Sequence, residues 1–142
     1  MIYQVSVFLE NRSGRLLDVL KVLARAGINI RALSIAETSD YGILRMMVND
    51  PDEARAVLKG AGFTVSLTPV LVVEVPDKPG GLAQILTPLV EQNVNVEYLY
   101  AFVEKSGENA FVVMRFEDLD KAKTILEDSG FRLLEPKEVY SI

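Results

Sequence analysis

The stretch Asn11-Arg12-Ser13-Gly14-Arg15-Leu16 marks the passage from an alternating, strand-like run into a run with helical spacing. The same passage recurs in the second half of the chain as Asp77-Lys78-Pro79-Gly80-Gly81-Leu82. A glycine turn between a strand and a helix presents unpaired N–H groups at the helix N-terminus, and these groups favour an anionic ligand. We therefore predict that both turns are functional and that the chain contains two copies of one unit.

The first copy begins with a strand and a helix on either side of this turn. Residues 2–9 are rich in β-branched and aromatic types and alternate with Gln4 and Ser6, which predicts a strand with one wetter face. Apolar residues at helical spacing predict a helix over residues 14–26, with Ser13 as its N-cap and Gly27 as its C-terminal stop.

The remainder of the first copy completes a βαββαβ order. Residues 28–37 and 43–48 have strand character and are predicted to form a hairpin. Asp50, followed by Pro51, predicts the N-cap of a second helix, and residues 63–67 predict a short last strand.

The second half repeats this order at a nearly constant spacing, which lengthens slightly at a longer hairpin around residues 106–109. The repeat superposes the following residues: Leu16 on Leu82, Leu20 on Leu86, Asn29 on Asn95, Asp50 on Asp118, Gly62 on Gly130 and Phe63 on Phe131. We therefore predict units at residues 1–68 and 69–142. Pro88 is expected to kink the second copy's first helix, and residues 135–142 are expected to form a tail with a final strand.

The predicted fold class is α+β, with two ferredoxin-like βαββαβ units in tandem. Each unit should form a four-stranded antiparallel sheet with both helices on one face. Two such units side by side would continue into one eight-stranded sheet, which would remove two edge strands. Tyr98, Tyr100 and Phe102 lie on one side of a strand and favour buried packing over a stacking platform.

Composition excludes most catalytic classes. The chain of 142 residues contains no cysteine and no histidine, so the thiolate, the commonest metal ligand and the usual proton-transfer group near neutral pH are all missing. The sequence also shows no phosphate-cradling motif and no clustered carboxylate pair. We expect no enzymatic activity, no cofactor and no metal.

The distribution of charge argues against nucleic acid as a partner. Residues 1–68 carry eight Lys/Arg and seven Asp/Glu, whereas residues 69–142 carry seven and thirteen, so the second half is acidic and would repel phosphate. The first strands offer valines where RNA-recognition domains of the same βαββαβ order place aromatic and basic residues. No run has the roughly 18 apolar residues of a membrane helix. We expect a cytoplasmic protein without a membrane or nucleic-acid partner.

The duplicated unit resembles the ACT domain family. The resemblance rests on residues 11–16 with Gly27-Ile28-Asn29-Ile30 in the first copy and on residues 77–82 with Asn93-Val94-Asn95-Val96 in the second. It implies a stand-alone, tandem regulatory protein, since the family's catalytic and DNA-binding attachments are not in this sequence. Family members bind amino acids or similar small effectors where the first loop and helix of one domain face a neighbouring domain.

This resemblance implies a set of candidate ligand-binding residues: Asn11, Arg12, Ser13, Gly14, Arg15, Leu16, Asn29, Ile30, Asp77, Lys78, Pro79, Gly80, Gly81, Leu82, Asn95 and Val96. Backbone N–H groups would hold the carboxylate of an amino acid, and Asn11 or Asp77 would accept from its ammonium group. Each residue also has a structural explanation. Asn11 and Asp77 would also suit helix capping, Asn29 and Asn95 turn geometry, and the Arg and Lys side chains simple solvation.

Two functions remain open from the sequence. The first is a homodimeric regulatory protein that senses an amino acid or a related metabolite and signals to a separate enzyme or regulator. The second is a protein-interaction module that assembles through exposed sheet and helix faces and binds no small molecule.

Overall fold

The computed structural model describes the backbone of residues 1–106 and 109–142, and the side chains of residues 1–102 and 109–142. The predicted hairpin tip at Gly107 and Glu108 lies outside these residues. The chain divides into an N-terminal unit, Tyr3–Thr68 with Tyr140–Ile142, and a C-terminal unit, Pro69–Val139 with Met1–Ile2. The first two residues thus belong to the C-terminal unit and the last three to the N-terminal unit, whereas the sequence placed each end in the other unit.

The N-terminal unit has the predicted βαββαβ order. Its elements are β1 (Ile2–Glu10), α1 (Arg15–Arg25), β2 (Ile30–Glu37), β3 (Tyr41–Val48), α2 (Pro51–Gly60) and the first part of β4 (Thr64–Pro76). The strands lie in the order β2-β3-β1-β4, and β3 runs antiparallel to both β1 and β2. The predicted hairpin is therefore confirmed, and β2 is the edge strand of this unit.

Alternation along β1 explains how the helices cover one face of this sheet. Val5, Val7 and Leu9 are buried in a core that also contains residues of α1, β3 and α2. Gln4 and Ser6 occupy the intervening positions, where Gln4 donates to the Ser6 hydroxyl at 2.9 Å. The predicted N-cap of α2 is confirmed, because the Asp50 carboxylate accepts from the N–H of Glu53 at 3.2 Å.

The C-terminal unit repeats this arrangement with a reduced last strand. Its elements are the second part of β4, then α3 (Gly81–Glu91), β5 (Val96–Ser106), β6 (Asn109–Phe116) and α4 (Leu119–Asp128), with strand order β5-β6-β4. Residues 132–134 pair with the other edge of β4 through an isolated bridge between Val73 and Leu133. Tyr100 and Phe102 of β5 are buried, as predicted for packing residues.

The expected eight-stranded sheet is wrong. The described residues contain six strands, because two predicted strands merge into the 13-residue β4 and residues 132–134 form only a bridge. Pro69 does not interrupt β4, although a proline cannot donate to a strand ladder. Its carbonyl oxygen instead accepts a hydrogen bond from the Arg115 guanidinium at 2.9 Å.

The tail is helical, not a strand. Residues Pro136–Tyr140 form a short helix, α5. The Tyr140 hydroxyl accepts from the N–H of Tyr3 at 2.9 Å, and burial raises the pKa of this phenol. Helix α3 continues through Pro88 to Glu91. Among the described residues, no helix is both long enough and apolar enough to span a bilayer.

Candidate ligand-binding loops

Loop 1 (residues 11–14) connects β1 to α1 and ends at the N-cap of the helix. Gly14 is that N-cap, with φ of 90°, and no side chain caps the helix. The predicted capping by Ser13 is therefore wrong. Because φ is positive, the backbone of Gly14 has a left-handed conformation that L side chains adopt at a cost. The glycine is required by the shape of this turn.

Loop 2 (residues 77–80) connects β4 to α3 in the same way. Gly80 is the N-cap with φ of 83°, again without a capping side chain. The Asn11 side chain donates to Thr38 O and makes no hydrogen bond to an N–H of α1, which removes helix capping as the structural explanation that the sequence left open for Asn11.

Three backbone hydrogen bonds recur at matching positions of the two loops. Loop 1 contains Arg12 N–H to Glu10 O at 2.9 Å, Arg15 N–H to Arg12 O at 3.4 Å and Asp18 N–H to Gly14 O at 3.0 Å. Loop 2 contains Lys78 N–H to Pro76 O at 2.9 Å, Gly81 N–H to Lys78 O at 3.0 Å and Gln84 N–H to Gly80 O at 3.0 Å. The two turns thus have one backbone design.

This design leaves amide donors free at each helix N-terminus. Within the described part of the chain, the N–H groups of Ser13, Gly14 and Leu16 have no hydrogen-bond partner. In loop 2 the N–H groups of Gly80 and Leu82 make no hydrogen bond to a described residue, and Pro79 has no N–H. Free donors at a helix N-terminus favour a carboxylate or a phosphate.

Asn11 joins loop 1 to the turn between β2 and β3. Its backbone N–H donates to Asp40 O, and its side-chain nitrogen donates to Thr38 O, both at 2.9 Å. The backbone N–H and one of the two side-chain N–H groups are therefore occupied. The side-chain oxygen makes no hydrogen bond to any residue that the structure describes, and it remains available as an acceptor.

The two arginines of loop 1 have local partners. Arg12 contacts the Glu10 carboxylate at 3.0 Å, where both side chains are largely exposed. Arg15 contacts the Asp18 carboxylate at 3.3 Å, and its guanidinium lies 4.6 Å from the centre of the Phe63 ring. The Arg15 Nε is buried and has no hydrogen-bond partner among the described residues. Both arginines therefore keep positive charge near the free amides.

A small cavity of about 90 Å³ borders loop 1. Its lining residues are Leu9, Glu10, Asn11, Arg12, Leu16, Ile35, Glu37 and Gly42. Ligand pockets typically measure about 300–1,000 Å³, and a cavity of about 150 Å³ holds a benzene molecule. The cavity beside loop 1 is therefore too small to enclose an amino acid by itself.

Five of these lining residues, including Glu10, were not predicted. Leu9, Ile35, Glu37 and Gly42 come together because Leu9 and Glu37 both pair with Gly42 in the sheet. The hairpin signal at residues 39–42 indicated the turn, but only the register of β3 between its two neighbours shows which side chains meet beside loop 1.

The structure does not bring Asn29 and Ile30 to loop 1. They lie at the start of β2, whereas the cavity is bordered by its last residue, Glu37. At about 3.3 Å per residue, the length of β2 separates them by roughly 23 Å. Asn29 is instead held by the Asn49 side chain, which accepts from its N–H at 3.0 Å.

Asn95 and Val96 are separated from loop 2 for the same reason. Val96 begins β5, and loop 2 follows the end of β4, where Pro76 pairs with Asn109. Asn95 instead borders an open cavity of about 630 Å³ near the start of α4, lined partly by Asp118 and Asp120. The predicted residues therefore form two loop clusters and two separate strand starts.

A second sizeable cavity also lies away from both loops. It measures about 520 Å³ and is lined by residues of β4, α4 and the segment 130–136 in the C-terminal unit. Its charged residues are of both signs, including Asp120, Lys123 and Glu127. Both of these cavities are larger than the one beside loop 1, but only the loops combine free amides with a left-handed glycine at the N-cap of a helix.

Comparison with known proteins decides the family. A family model described as an ACT domain pair matches residues 1–142. The chain belongs to the ACT domain family. An ACT domain pair is a regulatory module, and the match indicates no catalytic family.

Solved structures share this fold over nearly the whole ACT domain pair. A protein from Bacteroides thetaiotaomicron is 42% identical, with a TM-score of 0.93, over 99% of this chain and 96% of that one. The ligand-free regulatory subunit of aspartate kinase from Thermus thermophilus is 17% identical, with a TM-score of 0.65, over 92% and 94% of the two chains. The latter likeness shows the fold alone. A search of curated proteins found no significant match.

Proposed function

We propose that this ACT domain pair is a non-enzymatic regulatory protein that binds an amino acid, or a metabolite with the same zwitterionic group, at loops 1 and 2. The observation that carries the proposal is the repeated set of free amides at two helix N-termini, each opened by a left-handed glycine. Free N–H groups occur at every helix N-terminus, and here the same glycine turn presents them in both units.

At loop 1, the carboxylate of the ligand binds the free N–H groups of Ser13, Gly14 and Leu16. The positive charges of Arg12 and Arg15 add to the partial positive charge of the helix N-terminus. The side-chain oxygen of Asn11 accepts from the ammonium group, since it makes no hydrogen bond to any described residue.

At loop 2, the carboxylate binds the N–H groups of Gly80 and Leu82, and Asp77 is the acceptor for the ammonium group. Lys78 supplies the local positive charge, and Pro79 replaces one amide donor. We infer that the two loops bind the same class of ligand with unequal affinity.

Binding transmits a signal through linkage. A ligand that prefers one arrangement of the protein shifts the population toward it, and a partner that recognises this arrangement then binds more tightly by the same factor. The shared fold with regulatory subunits of aspartate kinase supports a separate enzyme as that partner. The protein acts as a homodimer in the cytoplasm under this proposal.

The test is a thermal-shift screen of the purified protein with the twenty amino acids. A ligand at 100 times its dissociation constant adds about 2.7 kcal/mol to the free energy of unfolding, which is easily seen as a higher Tm. Absence of a shift with every amino acid would favour the alternative of an assembly module without a small-molecule ligand.

Two glycine variants assign the shift to the loops. A Cβ at Gly14 or Gly80 would meet no atom within 4 Å, but both residues have positive φ, so Gly14→Val and Gly80→Val would distort the loop backbone without a clash in the core. Each variant should abolish binding at its own loop and leave the other loop active. Normal ligand binding by both variants would show that the loops are not the site.

A further inference from the structure

The cavity of about 520 Å³ between β4, α4 and the segment 130–136, here called the α4 cavity, lies where the last strand of the C-terminal unit is cut short. Residues 132–134 make only a bridge to β4, and α5 begins at Pro136. In the N-terminal unit the matching segment is a regular part of β4, and Leu67 packs against the core. Glu135 occupies the position of Leu67 in the alignment of the two copies. The shortened strand therefore leaves space beside α4.

The α4 cavity has the size and the apolar floor of a small-molecule site. Ligand pockets typically measure about 300–1,000 Å³ and combine apolar side chains with a few polar groups that fix orientation. Around this cavity, Leu71 and Leu134 are buried, and Leu119, Phe131 and Leu133 are partly buried. An apolar ligand body would be removed from water against these side chains, which favours binding.

Two carboxylates at the cavity distinguish it from the same place in the N-terminal unit. Glu127 stands at the position of Lys59, and Glu135 stands at that of Leu67. Neither carboxylate forms an ion pair with any residue that the structure describes. Helix α2 has Lys59 in its last turn, whereas the last turn of α4 has no basic residue. The C-terminus of a helix favours a cation, and at α4 the chain does not supply one.

Phe131 adds an aromatic ring that carries no cation. The matching Phe63 has the Arg15 guanidinium 4.6 Å from its ring centre. Gly81 replaces Arg15 in the second copy, and no cation of the described residues lies over the Phe131 ring. The face of an aromatic ring attracts a cation. The N-terminal unit thus supplies two cations, at Arg15 and Lys59, that the C-terminal unit lacks.

Arg132 borders the cavity but is already paired. Its guanidinium contacts the Glu74 carboxylate at 3.4 Å and also contacts the Glu138 carboxylate. Glu138 in turn accepts from the N–H of Glu135 at 3.1 Å. These contacts neutralise Arg132 and fix the start of α5, so the chain itself holds this wall of the cavity in place.

We propose that the α4 cavity binds an organic cation, namely a primary amine with an aromatic or alkyl body. The body packs against Leu71, Leu119 and Leu133, and the ammonium group lies near Glu127 and the Phe131 ring at the C-terminus of α4. Such a ligand needs no carboxylate, whereas the free amides of loops 1 and 2 favour one. The inference therefore adds a second class of ligand and does not depend on the proposed function.

Lys123 provides a direct test of the ligand's charge. It lines the cavity one turn before Glu127 and forms no ion pair with Asp120, although the matching Arg55 contacts Asp52 at 3.6 Å. A lysine at this place repels an amine but attracts a carboxylate. Lys123→Gln should therefore lower the dissociation constant of an amine about 2- to 3-fold. The same change would raise the dissociation constant of a ligand that is held through a carboxylate.

Three probes with one phenylethyl body separate charge from apolar contact. They are 2-phenylethylamine, the neutral 2-phenylethanol and the anionic 3-phenylpropionate, each titrated into the full chain by isothermal titration calorimetry. The amine should bind, and the alcohol should bind about 10-fold more weakly, because hydrogen bonds to a charged group are the stronger ones. The acid should bind least, since Glu127 and Glu135 repel it.

Variants of the two carboxylates assign the amine to the cavity. Glu127→Gln removes one charge and should raise the dissociation constant of the amine about 10-fold. Asp128→Asn is the matched control, because Asp128 is the next residue, is exposed and does not line the cavity. It should change the dissociation constant less than about 2-fold. Glu135→Leu introduces the residue of the N-terminal unit, fills part of the cavity and should abolish binding at an unchanged Tm.

The loop variants separate this test from that of the proposed function. Gly14→Val and Gly80→Val should leave amine binding unchanged, whatever the amino-acid screen gives. Loss of amine binding in Gly80→Val would instead assign the ammonium group to Asp77 of loop 2 and overturn the inference.

Four other results would also overturn it. The first is no binding of 2-phenylethylamine at millimolar concentration, and the second is equal binding of the amine and the alcohol. The third is an equal loss in Glu127→Gln and Asp128→Asn, or none in Glu135→Leu. The fourth is weaker amine binding in Lys123→Gln, which would show that the lysine attracts the ligand.

Discussion

Loop 1 and loop 2 are built on the same three backbone hydrogen bonds, but the turn that precedes the helix is wider in loop 1. The bond that closes the turn is 3.4 Å at Arg15 and 3.0 Å at the matching Gly81. A Cβ on Gly81 would lie 2.0 Å from the carbonyl oxygen of Pro76, whereas Arg15 carries a full side chain. Two copies of one backbone design have therefore diverged in how tightly the helix packs on the preceding strand.

The divergence changes what each loop offers a ligand. Loop 1 has an additional amide at Ser13 where loop 2 has Pro79, and a second positive charge at Arg15 where loop 2 has Gly81. The amide donors that remain are the ones that the backbone design itself leaves unpaired. Duplication thus preserves the backbone of the turn, and single substitutions change the amides and charges that it presents.

The largest expected effect is on the free energy of unfolding, and it arises at the tighter turn before α3. In Gly81→Ala the new methyl group would overlap the backbone oxygen of Pro76, which cannot move without disturbing β4. We expect a loss of about 3 kcal/mol or more in the free energy of unfolding, measured by urea denaturation. The matched control is Arg15→Ala, which removes only a half-exposed ion pair and a contact with Phe63, together worth about 1 kcal/mol. Similar losses of stability in both variants would show that the turns before α1 and α3 are equally wide.

The elements that are set by local sequence could be predicted. The Asp50 cap and the β2–β3 hairpin each depend on residues close together in the chain, and both are confirmed. Ser13 was assigned as a cap from residue type, but the left-handed turn at Gly14 places the glycine at that position. Residue type alone does not reveal which of two adjacent residues adopts the unusual φ.

Features that depend on the sheet could not be predicted in the same way. The cavity residues Ile35, Glu37 and Gly42 meet through the register of β3, which the sequence leaves undetermined. The prediction that Asn29 lies beside loop 1 failed for a simpler reason. Helix α1 returns the chain to the end of the sheet where β1 begins, so the start of β2 must lie far from loop 1.

The next effect is on binding and concerns the extra amide. Ser13→Pro removes one donor and gives loop 1 the residue that loop 2 already has at that position, so the turn itself should persist. A hydrogen bond to a charged group contributes about 1.5–3 kcal/mol, which predicts a dissociation constant about 10- to 100-fold higher at loop 1. Isothermal titration calorimetry with the ligand found in the screen measures it.

The reciprocal variant provides the control. Pro79→Ser adds an amide to loop 2 and should strengthen binding there, while loop 1 is unchanged. If Ser13→Pro left the affinity unaltered and the fold intact, the carboxylate would not be held by the Ser13 amide, and the difference between the loops would have another origin.

The smallest effect concerns the bonds that join loop 1 to the β2–β3 turn. Asn11→Ala removes the side-chain donor to Thr38 O and should cost about 1 kcal/mol of stability, since the bond is exposed and neutral. Asn11→Asp introduces the residue that loop 2 carries at this position, keeps an acceptor for an ammonium group and loses only the donor. If Asn11 serves mainly the ligand, Asn11→Asp should retain binding and Asn11→Ala should lose it, at equal thermal stability. If it serves mainly the turn, both variants should lower the Tm alike, and binding should weaken only to the extent that the β2–β3 turn loosens.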